Sequence, residues 1–374
     1  CQNNPNVAVN CFVLGDPLTP AQNGLLSASS GETVIHFPYN ASGETDQNTT
    51  LAFANQTGAA TWGMAYQRST RTIFVAASQR RHSGYGPLGT GGLYTINLNG
   101  NLSGAAPLVS NFISLDGLAG VSTGADPHSG LPGCRQADVG CNSIDAASFD
   151  AVGKVSLGDI DFSEDEQTLW AVNLNQRTLL EIAIGNPPQL PTATAIKSHP
   201  LLGNGAPSCT NGQFRPWGLK IHNGLVYVGG VCSAEANGTA ADLDAYILAF
   251  DPTNAAAGFS TVLTFGLDYA KGCAWNQAAP GAHGCVWNPW LSTWPNSFPL
   301  QGGDHYSWPQ PILSDIEFDS DGSLILGFAD RWFLQGGNPQ PPATAGDPTS
   351  HVVHVINGGD ILRACNVNGT FVLQ

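Results

Sequence analysis

The stretch LGDIDFSEDEQTLWAVN (157–173) reads as a strand, a polar turn from Ser163 to Gln167, and a second strand. β-Branched and aromatic residues fill both flanks, as a hairpin requires. Three other stretches follow the same pattern: TWGMAYQRSTRTIFVAA (61–77), PWGLKIHNGLVYVGG (216–230) and LSDIEFDSDGSLILGFAD (313–330). After each hairpin a third strand is predicted, at 91–98, 177–184, 244–251 and 351–356, and then a fourth, at 108–115, 192–199, 260–267 and 360–365. Repeated hairpins of this kind predict an all-β fold, a β-propeller of four-stranded blades. Four blades are discernible. Because a propeller must close to remove its edges, five to seven are expected in the closed ring, with ETVIHFPY (32–39) completing the last of them. A β-sandwich with decorated loops is the alternative.

The 374 residues fit one such domain over 1–374, cut short at its C-terminal end, where the strand-like run NGTFVLQ has no turn or tail. Residues 1–30 are expected to form a disulfide-tied extension and 268–312 a Trp-rich insertion. The formal net charge is −15 with only 13 Lys and Arg, which argues against nucleic-acid or anionic-membrane partners. Charged residues make up 11% of the chain, so Asn, Thr, Ser, Gln and Gly must build the surface, as in secreted proteins. No apolar run is long enough to span a bilayer.

Nine cysteines agree with an oxidising compartment. Eight have a near neighbour, which predicts bonds Cys1–Cys11, Cys134–Cys141, Cys209–Cys232 and Cys273–Cys285, leaving Cys365 over. Sequons at Asn40, Asn48, Asn55, Asn101, Asn237 and Asn368 permit glycosylation. The first residue is Cys rather than Met, which predicts a targeting segment removed upstream.

Long segments fall in two classes: loops from second to third strand (78–90, 231–243, 329–350) and loops between blades (116–156, 200–215, 268–312). Both classes emerge on one face of a propeller, and loops this long usually carry function. The insertion at 268–312 holds five of the nine tryptophans: Trp275, Trp287, Trp290, Trp294 and Trp308. Clustered indoles suit a glycan, an aromatic ligand or a protein partner, although a self-packed mini-core is the favoured reading. Arg81 and His82, with Asp330 and Arg331, could form a charged group over the channel able to hold an anion or move a proton; the equal alternative is that Asp330 and Arg331 only pair with loop neighbours. Asp159 and Asp315 occupy equivalent places in GDID and SDIE, at the start of first strands that line the channel. Carboxylates from two blades are what a calcium ion at the mouth would need, so calcium is the cofactor to consider; the plainer reading is that each Asp bonds nearby backbone N–H groups. No nucleophile, zinc-protease, phosphate-loop or haem motif is present, so no catalytic residue is nominated.

The segments ATWGMAYQRSTRTIFVAASQRRHSGYGPLGTGGLYTINL, FDAVGKVSLGDIDFSEDEQTLWAVNL, RPWGLKIHNGLVYVGGVC and PILSDIEFDSDGSLILGFADR resemble the N-terminal region of large bacterial surface proteins that continue into SdrD B-like, Cna B-type repeats. The resemblance runs from about 30 to 365 and implies a surface-displayed head on a stalk of immunoglobulin-like repeats, which this chain lacks. It supplies no catalytic residue. The expected function is a non-enzymatic extracellular module, adhesin-like or structural, whose looped face contacts a glycan, a surface protein or copies of itself. The alternative is a calcium-dependent propeller hydrolase or lactonase with Asp159 and Asp315 at the metal.

Overall fold

The computed structural model describes residues 4–21, 24–43, 48–99, 108–135, 140–274, 283–295, 305–337 and 339–374. Five antiparallel blades are arranged in a ring as a β-propeller. Blade one has three strands, β1 (Asn6–Asn10), β2 (Glu32–Pro38) and β3 (Thr49–Phe53). Blade two is β4 (Thr61–Gln67), β5 (Thr72–Ala77), β6 (Gly92–Asn97) and β7 (Leu108–Ser114). Blade three is β8 (Leu157–Phe162), β9 (Thr168–Asn173), β10 (Thr178–Ala183) and β11 (Ile196–Pro200). Blade four is β12 (Phe214–His222), β13 (Leu225–Cys232), β14 (Asp244–Phe250) and β15 (Phe259–Gly266). A short parallel pair joins β16 (His305–Ser307) to β19 (His354–Ile356). Blade five is β17 (Pro311–Phe318), β18 (Leu324–Asp330), β20 (Asp360–Val367) and β21 (Thr370–Leu373).

All four hairpins read from the repeat are first and second strands of a blade. Three assignments differ. The run at 32–39 does not complete the last blade; its strand pairs with β1 on one side and β3 on the other, so it belongs to a blade of its own. Residues 6–10, placed in the N-terminal extension, are therefore a blade strand, too short for its alternation to stand out. In blade five the third strand is 360–367, and 351–356 instead contributes β19 between two long loops. Apolar alternation marks both runs as strands but cannot say which one pairs with β18. The turn Asn368–Gly369, with φ of 53° and 87°, then folds NGTFVLQ back as the fourth strand.

The innermost strands β4, β8, β12 and β17 lie side by side around the axis. Each carries a bulge near its start, between Thr61 and Met64, Leu157 and Ile160, Pro216 and Leu219, and Leu313 and Asp315. The bulge bends the strand, and a small residue there lets the next strand approach. A Cβ on Gly63 would sit 2.7 Å from Ile160 N, and one on Gly158 2.8 Å from Trp217 O, so neither site admits a side chain.

Apolar layers fill the spaces between blades. Phe74, Leu93, Ile160, Leu180 and Ile182 join blades two and three; a larger layer with Trp217, Val228, Ile247, Leu313 and Leu326 runs through blades three to five. Among the described residues no helix is long and apolar enough to cross a membrane.

Candidate functional site

The long loops form a cap over one end of the channel, and buried ionic groups hold it together. Arg331 starts the short helix α1 (Arg331–Gln335) directly after β18 and is fully buried. Its Nε donates to Val152 O at 2.8 Å, Nη1 to Leu291 O and to Gln310 Oε1, both at 2.9 Å, and Nη2 to Asp150 O at 3.0 Å. One guanidinium therefore fastens the loop before β8 and the Trp-rich loop to blade five, and its flat face lies 4.4 Å from the centre of the Trp290 ring. Arg81, 1% exposed, does the same at a second junction. It donates to the carbonyls of Ile144, Gln335, Gly336 and Pro341. Burial lowers both arginines to a pKa of about 9, which leaves them cationic at neutral pH.

His82 is equally buried. Its Nε2–H donates to Gly336 O at 2.8 Å, and Nδ1 lies 2.9 Å from Ser143 Oγ, which can donate to it when the ring is neutral. Burial, then the charge of Arg81, pushes its pKa well below the ordinary value. Asp330 accepts from the backbone N–H groups of Gln310, Trp332 and Gly358. The expected open anion site over the channel is thus corrected: Arg81, His82, Asp330 and Arg331 do not form one accessible group. They are buried clamps, because several loops converge there with carbonyls that only interior donors can satisfy.

Asp145 is a further member of this network that the sequence reading passed over. It accepts from His128 Nδ1 at 2.7 Å, from Ser148 Oγ at 2.5 Å and from His82 N at 3.0 Å. Burial opposes its charge, yet these donors hold its pKa well below the usual range. The spacing Asp145-x-x-Ser148, typical of local side-chain turns, was the signal available for it.

The tryptophans of the insertion serve the cap in the same manner. Trp287 and Trp290 are buried in the main core, and their indole N–H groups donate to Tyr269 Oη at 3.2 Å and Pro311 O at 2.8 Å. Trp294 and Trp308 are half-buried in a smaller cluster with Phe149, Trp332 and Val355. Trp308 Nε1 donates to Pro289 O at 3.1 Å. Trp287 and Trp290 are therefore not presented to a ligand but join the main core, and a small separate cluster, as the mini-core reading expects, holds Trp294 and Trp308; Trp275 lies outside the described residues. Disulfides Cys134–Cys141, Cys209–Cys232 and Cys273–Cys285 tie the same loops. Cys11 is a free, half-buried thiol, and its expected partner Cys1 lies outside the described residues. The sequon residues Asn40, Asn48, Asn55, Asn237 and Asn368 are exposed; Asn101 lies outside the described residues.

A different chemistry lines the channel. Asp159, Asp161, Asp315, Glu317 and Asp360 share a cavity of about 770 Å³ with Lys220 and Trp62. Asp159 accepts from Ile160 N at 2.9 Å and, across the blade boundary, from Leu219 N at 3.2 Å. Asp161 repeats this with Ile221 N at 3.1 Å. Lys220 lies 2.9 Å from Glu317 and 3.7 Å from Asp161. Burial and then Asp315 push the pKa of Asp159 well up, while burial and then Glu317 raise Asp315. Asp159 and Asp315 thus converge on one cavity. Among the described residues, no group of three or more His, Cys, Asp or Glu side chains is placed to hold a metal ion.

No family model matches the chain. Curated relatives include Colossin-A of Dictyostelium discoideum, 27% identical over 377 residues, a match covering 100% of this chain and 3% of that protein. Colossin-C of the same organism is 26% identical, with 100% of this chain and 32% of that protein covered. Colossin-B is 25% identical, with 100% and 8% covered. The chain thus spans about a third or less of the length of these relatives, and none of the three is a bacterial protein. Among solved structures, xylan β-1,4-xylosidase from Bacillus halodurans C-125 is similar over 100% of this chain and 53% of that one, with 11% identity and a TM-score of 0.41. A putative 6-phosphogluconolactonase from Bacteroides uniformis shows 12% identity and a TM-score of 0.39, covering 100% of this chain and 82% of that one. At this level neither neighbour speaks to chemistry.

Proposed function

We propose that the chain is a non-enzymatic extracellular module whose capped face contacts a glycan, a surface protein or further copies of itself. The observation that carries this reading is the cap: the buried ionic groups of Arg81, Asp145, Asp330 and Arg331 and three disulfides tie the described parts of the loops together. Loops held by such ties lose less entropy when a partner binds than loops without them. The disulfides also suit an oxidising, extracellular setting. Display on the surface of a cell, by analogy with the bacterial proteins that the sequence resembles, belongs to this proposal. The hydrolase or lactonase reading is less favoured, because among the described residues Asp159 and Asp315 are not part of any group of three or more His, Cys, Asp or Glu side chains placed to hold a metal ion.

The test uses two cysteine variants in a Cys1→Ser, Cys11→Ser, Cys365→Ser background: Ala236→Cys on the capped face and Ser320→Cys in a turn at the opposite end. Each is labelled with a bulky polymer and assayed on a printed glycan array, on an array of extracellular-matrix proteins and for self-association by sedimentation. Partner binding blocked by the label at 236 and spared by the label at 320 is expected. Saturable hydrolysis of sugar or lactone substrates that disappears in Asp159→Asn would overturn the reading.

A further inference from the structure

Blades one and two meet face to face, and the two halves of that boundary are filled differently. Toward the cap, Val34, Ala52, Val75, Ala77, Tyr94 and Ile96 pack into one buried layer. Toward the turn Gln67–Arg71 that layer stops, and a cavity of about 690 Å³ opens between the two sheets. Small-molecule sites usually measure roughly 300–1,000 Å³. Strand alternation builds the walls. Val34 and His36, two apart in β2, share a face, and Ala8 of β1 stands opposite His36 in the ladder. Across the gap Tyr66 and Ile73 are paired close to the turn. Val34 therefore enters the apolar layer, whereas His36 lines the cavity with Leu51, Met64, Ile73 and Leu98.

Three buried nitrogens at this cavity, Nδ1 and Nε2 of His36 and Nε of Arg71, have no hydrogen-bond partner among the described residues. Buried polar atoms are nearly always paired, so an orphaned group calls for an explanation. Burial lowers the pKa of His36, which leaves a neutral ring with one N–H donor and one acceptor at neutral pH. Arg71 brings a full positive charge, and no lining residue is acidic. Arg71 also holds φ of 56°, a left-handed conformation that Gly224 and Gly322 take in the turns of blades four and five, so the backbone alone does not account for an arginine here. Water can serve the three nitrogens, but it leaves the apolar walls wet. An acidic head joined to an apolar chain answers both.

We propose that the cleft between blades one and two is a binding site for an amphiphilic carboxylate of medium chain length, with its head at Arg71 and His36 and its chain along Leu51, Met64, Ile73 and Leu98. A guanidinium and a carboxylate match in charge and in fork geometry. A few convergent polar groups on mostly apolar walls are the usual composition of such sites. The cleft lies at the turn end of the blades, away from the capped face, and its test stands or falls apart from that reading.

The probe is decanoate, added below its micellar range to the whole chain and followed by titration calorimetry. One saturable site per chain is expected. Decyltrimethylammonium, with the wrong charge, and butanoate, with too little apolar surface, each bind at least tenfold more weakly. Arg71→Asn keeps a residue that accepts the left-handed conformation and removes the charge, so it weakens decanoate at least tenfold while the thermal midpoint of the free protein holds. Lys220→Gln, in the channel cavity that shares Met64 with this one, leaves decanoate binding unchanged. Should Arg71→Asn fold poorly, the ring-nitrogen resonances of His36, assigned with His36→Gln, report on the unaltered protein and shift as decanoate is added. Absence of saturable binding, equal binding of the cationic amphiphile, or indifference to Arg71→Asn overturns the proposal. So does a loss of binding in Lys220→Gln, or His36 resonances that stay in place.

Discussion

The cap and the channel are both built around ionisable residues, and they treat them in opposite ways. In the cap Arg81 and Arg331 are fully buried and nearly every guanidinium donor has a carbonyl or amide acceptor. In the channel, carboxylates crowd one another, with Lys220 bridging two of them, and several remain half-exposed. Complete satisfaction converts charge into structure, since an interior donor is costly only when unpaired. Crowded like charges do the reverse: each carboxylate disfavours the ionisation of its neighbour.

The sharpest way to break this contrast is Arg331→Met. If the cap is held by that guanidinium, the variant loses about 3–5 kcal/mol, read by chemical denaturation, and Arg331→Lys does not restore it because an ammonium cannot reach four acceptors. A loss under 1 kcal/mol would place the strength of the cap in its tryptophans instead. Next in size is Cys209→Ala with Cys232→Ala. Opening that loop costs about 3 kcal/mol, and limited proteolysis should then cut between 200 and 215.

The third prediction uses pH. His82 is neutral when folded, with a pKa well below the ordinary value, whereas the unfolded chain takes up a proton near ~6.5. Below that pH the unfolded state binds more protons, so stability falls with acidification by up to about 1.4 kcal/mol per pH unit. The slope of unfolding free energy between pH 7 and 5 should flatten in His82→Gln. An unchanged slope would mean that His82 is charged in the fold.

The smallest effect is expected in the channel. Asp315 has a raised pKa, so its contribution is favourable below the ordinary carboxylate range and is lost as pH rises through the folded value. Asp315→Asn should therefore stabilise the protein at pH 7.5 by a few tenths of a kcal/mol at most, after allowing for solvent screening at an exposed position. The gain should vanish near pH 3.5. Destabilisation at pH 7.5 would show that this carboxylate is paired rather than crowded.

The hairpins were legible because alternation and turn residues are local, and Gln67–Arg71 or Asp319–Gly322 announce themselves within five residues. Disulfides between near neighbours were legible for the same reason. The equivalence of Asp159 and Asp315 followed from aligning repeats, since equal places in a repeat become equal places around an axis. The fate of Arg81, His82 and Arg331 was not legible. A charged loop residue reads the same whether it faces water or five carbonyls, and those carbonyls come from segments up to 260 residues away.

Sequence by itself determined the class of fold, the strand unit that repeats, three disulfide pairings between near neighbours, and the face that carries the long loops. Those properties depend on short-range pattern and on sums over the chain. Only the tertiary structure decided that 32–38 belongs to a blade of its own with β1 and β3, and that 360–367 rather than 351–356 pairs with β18. It also decided that the charges of the looped face are buried clamps. Each of those depends on which distant backbone groups meet, and the partner of an N–H or a guanidinium is not written in its own neighbourhood.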